Sequence, residues 1–210
     1  ERFPRFPSSP YVATYDLKPE MSAYEARGAA TRLSFAPFMF QAARCLVKTG
    51  LLARLRDAGD EGLDLDALNE GTLSPYAVRV LLDAGLACQV VEYHDGRFTC
   101  SKVGWFLLED ELTKVNMDFT HSVNWKGLYH LDEALAEGRP AGLPELGDWA
   151  TIYEGLKDLP PEAKHDWFAF DHYYSDHAFP AALPIVFGFQ PKTILDIGGN
   201  TGKFATAACA

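Results

Sequence analysis

No apolar run in this 210-residue sequence approaches the roughly 20 residues that a membrane-spanning helix requires. Positive charge is scarce, with 19 Lys and Arg against 29 Asp and Glu for a formal net charge of −10. Such a surface works against unaided binding to nucleic acid or to anionic membranes, so neither is expected as a partner. Cysteine is sparse too. Cys45, Cys88, Cys100 and Cys209 form no C-x-x-C pair and have no histidine at ligand spacing, so no metal site is expected. Reduced structural thiols in a cytoplasmic protein are the reading that follows. The first residues carry no basic, apolar and cleavage-site order, which excludes a signal peptide there. Neither a repeat nor a low-complexity tract is present.

What is present is concentrated near the end, in Thr193-Ile194-Leu195-Asp196-Ile197-Gly198-Gly199-Asn200-Thr201-Gly202-Lys203-Phe204. Ile194, Leu195 and Ile197, bounded by Pro191 and by glycines, predict a short strand covered on both faces, as in a parallel sheet. Three glycines in five positions allow positive φ and let a ligand approach main-chain N–H groups. A helix follows, and its start favours a carboxylate or a phosphate. Two common glycine motifs fail letter by letter. A phosphate-cradling P-loop would need glycine at Ile197 and Ser or Thr at Phe204, and a dinucleotide fingerprint would need glycines at Asn200 and Lys203. A tight strand-to-helix turn in an unrelated α/β protein remains the alternative.

Along the rest of the chain, residues 1–22 read as an extended arm, with Pro4, Pro7, Pro10 and Pro19 among aromatics. Tyr24 to Ala58 shows helical periodicity through Phe38, Ala42, Cys45, Leu46, Leu52 and Leu55, with Gly59 as a stop. Leu63, Leu65 and Leu68 predict a short helix. Ser74-Pro75 predicts an N-cap with proline in the first turn of another, running to Gly85. Strands are expected at 87–93 and 97–100 around an Asp95-Gly96 hairpin turn. Two helices and a hairpin form a winged-helix-like arrangement, of which many examples read DNA. From Phe40 to Asp110, however, seven Lys and Arg stand against eleven Asp and Glu, and the second helix offers only Arg79 beside Asp83. Phosphate contacts need the opposite balance. Further helices are expected at 105–112, 128–137, 162–174 and 178–187.

The run D-x-G-G-x-x-G behind a hydrophobic strand resembles motif I of the class I S-adenosylmethionine-dependent methyltransferases, with Asn200 where their middle glycine stands. Asparagine tolerates positive φ better than most residues. Two further segments resemble the plant-caffeate-type and bacterial small-molecule O-methyltransferases. Leu128 to Leu135, followed by Gly138 and Pro140, is similar to their W-x-x-L-x-x-A-[VL]…G-x-P helix. Phe170 to His177 is similar to their F-x-x-x-M-S-x-H-S segment. The resemblance implies a mainly α winged-helix-like dimerisation domain at 23–112, a helical connector at 113–190, and the first βα unit of a Rossmann-like domain at 191–210. It further implies that Asp196, Gly198, Gly199, Asn200 and Gly202 hold S-adenosyl-L-methionine, and that Phe170 and Tyr174 line the acceptor and cofactor pocket. Ala178 stands where the family has a serine that approaches the cofactor. The family's ribose-binding acid and histidine base would fall beyond Ala210, so the resemblance assigns no catalytic residue here and the chain is expected to be truncated. His172 and His177 read as structural or surface residues, since no partner is evident in sequence. The activity implied is methyl transfer to a hydroxyl of a small acceptor, an aromatic one included, by a homodimer. A non-catalytic dimerisation or regulatory protein with a relic cofactor turn is the alternative, and a demethylase or decarboxylase on the same scaffold stays open.

Overall fold

The computed structural model describes residues 21–209. The expected arm lies almost wholly outside them. The described residues form two compact units that divide between Ser101 and Lys102.

The N-terminal unit starts with helix α1, Ala23–Lys48. Ser22 and Glu25 form a reciprocal capping box, in which the Glu25 amide donates to Ser22 Oγ at 3.3 Å and the Ser22 amide donates to Glu25 Oε2 at 2.8 Å. The helical stretch expected over 24–58 is two helices. Gly50 takes φ +75°, its amide donates to Val47 O at 3.1 Å, and α2, Leu51–Asp57, starts after it. A left-handed glycine just past a helix end satisfies carbonyls that would otherwise be orphaned. Helix α3, Leu65–Asn69, is capped by Asp64. At its other end Arg54 donates to the carbonyls of Ala67 and Leu68 at 2.7 and 2.9 Å. Helix α4, Pro75–Ala87, begins as the sequence predicts, with Ser74 Oγ accepting from the Ala77 amide at 3.2 Å.

Strands β1, Val91–His94, and β2, Arg97–Cys100, pair antiparallel with Val91 opposite Cys100. The turn between them has φ +49° at Asp95 and +83° at Gly96, both left-handed, the geometry whose twist matches a two-residue hairpin. Leu63 adds a single bridge to Phe98. The core between these elements is aliphatic: Leu46, Leu51, Leu52, Leu55, Leu68, Val78, Leu82 and Val91 are all essentially inaccessible. Gly85 lets α4 sit directly on β1, since a Cβ there would stand 2.7 Å from Val91 Cγ2. Only the C-terminal half of α1 enters this core. Tyr24, Leu33 and Phe35 on its other half are exposed, as is Phe38 just beyond the midpoint.

The second unit contains α5, Lys102–Glu109, and α6, Glu111–Phe119. Here too one expected helix is two, because Asp110 caps the second by accepting from the Thr113 amide at 2.8 Å. A π turn at Thr120–Asn124 and a 3-10 turn at Gly127–His130 lead to α7, Leu131–Glu137, which stops at left-handed Gly138. After α8, Ile152–Gly155, comes α9, Pro161–Asp176, packed along α6. Helix α10, Phe179–Gly188, and α11, Lys203–Cys209, complete the order and pack on each other.

The expected strand at 193–197, and with it the first βα unit of a Rossmann-like domain, is not formed. Leu195 and Ile197 are 84% and 88% exposed rather than buried on two faces. A strand exists through the ladder it shares with a neighbour, and the one sheet among the described residues is the β1–β2 pair of the other unit. The glycine turn and α11 after this segment are formed as expected.

Candidate functional site

The glycine turn is built from alternating backbone hands. Gly198, Asn200 and Gly202 have φ of +73°, +49° and +79°, and the Gly202 amide closes the turn onto Gly199 O at 2.7 Å. Asn200 thus occupies the left-handed region in which a glycine would be unstrained and an asparagine is tolerated. The Asp196 carboxylate lies over the turn, since a Cβ on Gly199 would stand 2.7 Å from its Oδ2.

Around the turn is a cleft of about 180 Å³ lined by His172, Ser175, Phe179, Asp196, Gly198, Gly199, Asn200, Lys203 and Phe204. Four of the five residues expected to hold a cofactor therefore meet in one place, and Gly202 serves the turn's closure without lining the cleft. Asp196 also borders a second hollow of about 290 Å³, with Phe187, Pro191, Ile194 and Phe204 among its walls. Phe170 and Tyr174, expected beside the cofactor, do not line the cleft. Phe170 stacks on Phe119 with centroids 4.1 Å apart, and Tyr174 packs on Phe170 at 4.8 Å while its hydroxyl donates to Asn116 Oδ1 at 3.0 Å. Both rings are engaged in holding α9 on α6, the packing role that aromatic pairs serve.

The sequence reading missed the polar chain between α9 and the turn. Asp176 Oδ2 accepts from Lys203 Nζ at 2.6 Å, and Asp176 Oδ1 lies 3.1 Å from His172 Nδ1. His172 Nε2 lies 3.0 Å from Thr201 Oγ1, and Asn200 Nδ2 donates to Asp171 Oδ2 at 3.3 Å. The Lys203 ammonium, with the His172 and Ser175 hydrogen bonds, holds the Asp176 carboxyl below its ordinary value. His172 is therefore partnered on both ring nitrogens, which corrects the expectation that nothing pairs with it. One local signal was available, the four-residue spacing of His172 and Asp176 on a helix face.

No curated protein matches the chain in sequence. Residues 27–98 match the family model of the Dimerisation2-like domain. Solved structures with a similar fold include the S-adenosylmethionine-dependent methyltransferase SibL in its apo form, with 20% identity, a TM-score of 0.63, and coverage of 86% of this chain and 54% of that one. The mitomycin 7-O-methyltransferase MmcR is similar at 18% identity and a TM-score of 0.63, over 87% of this chain and 54% of its own. PigF, solved with SAH, is similar at 18% identity and a TM-score of 0.64, over 86% and 54%. At these identities the likeness is one of fold, and the chain spans about half the length of each. Residues 27–98 thus resemble a Dimerisation2-like domain, and the chain is similar in fold to about half of these solved S-adenosylmethionine-dependent methyltransferase structures.

Proposed function

We propose that the protein is an S-adenosylmethionine-dependent methyltransferase that acts on a hydroxyl of a small acceptor, an aromatic one included, and works as a homodimer. The observation that carries this reading is the left-handed turn of Gly198, Asn200 and Gly202 with the Asp196 carboxylate over it. A short cleft floored by main chain and walled by one carboxylate suits an amino-acid tail, whose ammonium needs an anionic acceptor and whose stem needs close backbone approach. When bound, the cofactor supplies a methyl group on a sulfonium sulfur. The residues of this chain bind and orient it: Asp196 accepts from the ammonium, Gly198 and Gly199 leave room for the methionyl stem, and Phe179 and Phe204 form the apolar flank. Placing the methyl in line with the acceptor oxygen is then the protein's main contribution. In this reading the N-terminal helices and hairpin are a winged helix used for dimerisation. PigF, solved with SAH, supports the cofactor, and MmcR, a mitomycin 7-O-methyltransferase, supports an oxygen acceptor.

Calorimetry of the full-length protein with S-adenosylmethionine tests the reading. Binding is expected, weakened at least about tenfold, or ~1.4 kcal/mol, in Asp196→Ala. No detectable heat near millimolar cofactor overturns it.

The exposed face of α1 bears on the dimer. Leu33, at 77%, and Phe38, at 73%, expose more apolar surface than an unpartnered helix of a small domain normally leaves in water. Sedimentation is expected to give a dimer at micromolar concentration, shifted toward monomer in the double variant Leu33→Asp, Phe38→Asp. A wild-type monomer would count against this surface.

A further inference from the structure

We propose that Asp176, at the C-terminal end of α9, is the positioning residue that sets the shape of the glycine turn, gripping it at Lys203 directly and at Thr201 through His172. The inference rests on the reading that this turn holds the cofactor, and it names the residues outside the turn that prepare it. Three of the turn's five residues are left-handed, one of them an asparagine, and the segment leading into it is in no ladder. The turn's main chain contributes two bonds, the Gly202 amide to Gly199 O and the Thr206 amide of α11 to Gly202 O, at 2.7 and 2.9 Å, and both involve its last residue. Besides the Thr206 hydroxyl, which donates to Gly202 O at 2.9 Å, the side-chain ties to it come from a single helix. Asp171, His172 and Asp176 each reach across 27 to 29 residues of sequence, to Asn200, Thr201 and Lys203 in turn.

That helix is a firm reference. It runs 16 residues and is fixed along α6 by the Phe119–Phe170 stack and the Phe119–Trp167 contact at 5.7 Å. The polarity of the chain follows from the donor inventory. An ionised Asp176 only accepts, so His172 Nδ1 carries the proton toward it. Nε2 of the neutral ring is then an acceptor, and the Thr201 hydroxyl donates to it. The ring is thus assigned to one tautomer by a carboxylate behind it. His172 is also sheltered, its side chain 18% exposed against 29% for Asp176 and 52% for Lys203. The charged groups facing this cluster are Asp171 on α9, Lys203 on α11 and Asp196 before the turn. The two cations or potential cations, Lys203 and His172, both converge on Asp176. Removing that one carboxylate releases both grips at once, whereas removing Lys203 or Thr201 releases one.

The test is read on the protein without ligand, so it does not depend on the cofactor assignment. In the wild type, imidazole 15N shifts are expected to show His172 protonated at Nδ1. In Asp176→Ala the amides of Gly202 and Thr206 are expected to exchange with solvent about tenfold faster. Thr201→Val and Lys203→Met should each give a smaller increase, and Lys203→Arg should retain protection. Should Asp176→Ala fail to fold, Asp176→Asn supplies the same comparison. Unchanged protection on loss of the Asp176 carboxylate, or an Nε2–H tautomer in the wild type, overturns the proposal. Binding of S-adenosylhomocysteine by the wild type separates the two ideas. Binding together with unchanged exchange overturns the positioning role alone, while no binding despite the expected exchange pattern overturns the cofactor reading on which the role was to act.

Discussion

Leu46→Ala is expected to destabilise the N-terminal unit by about 2–5 kcal/mol, a large share of the stability of any domain this small. Leu46 is wholly inaccessible and sits where α1, α4 and the hairpin converge, close enough to Gly85 that a Cβ there would stand 3.0 Å from its Cδ1. Removing three side-chain carbons leaves a void that these elements close only in part, because α1 is held by its own long helix and β1 by its turn. Thermal unfolding should fall by roughly 4–8 °C for each kcal/mol lost. A surface control, Leu33→Ala on the exposed half of the same helix, should stay within about 0.5 kcal/mol for the isolated subunit. Equal effects at the two positions would mean that the core is not centred on Leu46.

Gly142→Ala is expected to destabilise the second unit by about 1–3 kcal/mol for one added methyl group. A Cβ at Gly142 would stand 2.6 Å from Gly127 Cα and 2.8 Å from its carbonyl carbon. Both obstacles are main chain, which cannot swing aside as a lysine tip can, so the two turns must separate. The neighbours Ala141 and Leu143 are buried and would be drawn out with them. Gly28→Ala is the contrast. Its nearest outside atom is the tip of Arg32, 3.8 Å from an added Cβ, and it lies within α1, so replacing glycine there should stabilise the helix by up to about 1 kcal/mol. Urea denaturation of the three proteins separates these outcomes. Equal midpoints for Gly142→Ala and wild type would show that the Gly127–Gly142 approach is looser than described.

Features with a local cause were the ones legible in sequence. Ser74-Pro75 starts a helix because a hydroxyl and a fixed φ act within one turn, and Asp95-Gly96 makes a hairpin because two adjacent residues accept left-handed φ. The glycine turn was readable on the same grounds, including left-handed Asn200. Helix breaks at Gly50 and Asp110 also had local signals, a glycine after Lys48-Thr49 and an acid three residues before Thr113, but apolar periodicity running through both obscured them. What could not be read depends on residues far apart. The strand at 193–197 needs a partner that its own letters do not supply. The second partner of His172, Thr201, lies 29 residues away and leaves no local signal. Phe170 and Tyr174 were assigned to the pocket by resemblance, whereas Phe119, from another helix, draws them into a stack.

The residues just ahead of the glycine turn carry a last implication for handling the polypeptide. Ile194, Leu195 and Ile197 present branched side chains to water and belong to no strand among the described residues. Short segments of high β-propensity left unpaired are templates for other chains, and charge or proline is what usually blunts them. Here Pro191, Lys192 and Asp196 are at hand for that task. Solutions of these 210 residues at high concentration are accordingly prone to slow, sheet-rich clumping that begins at this spot, and added lysines flanking it are the natural gatekeepers.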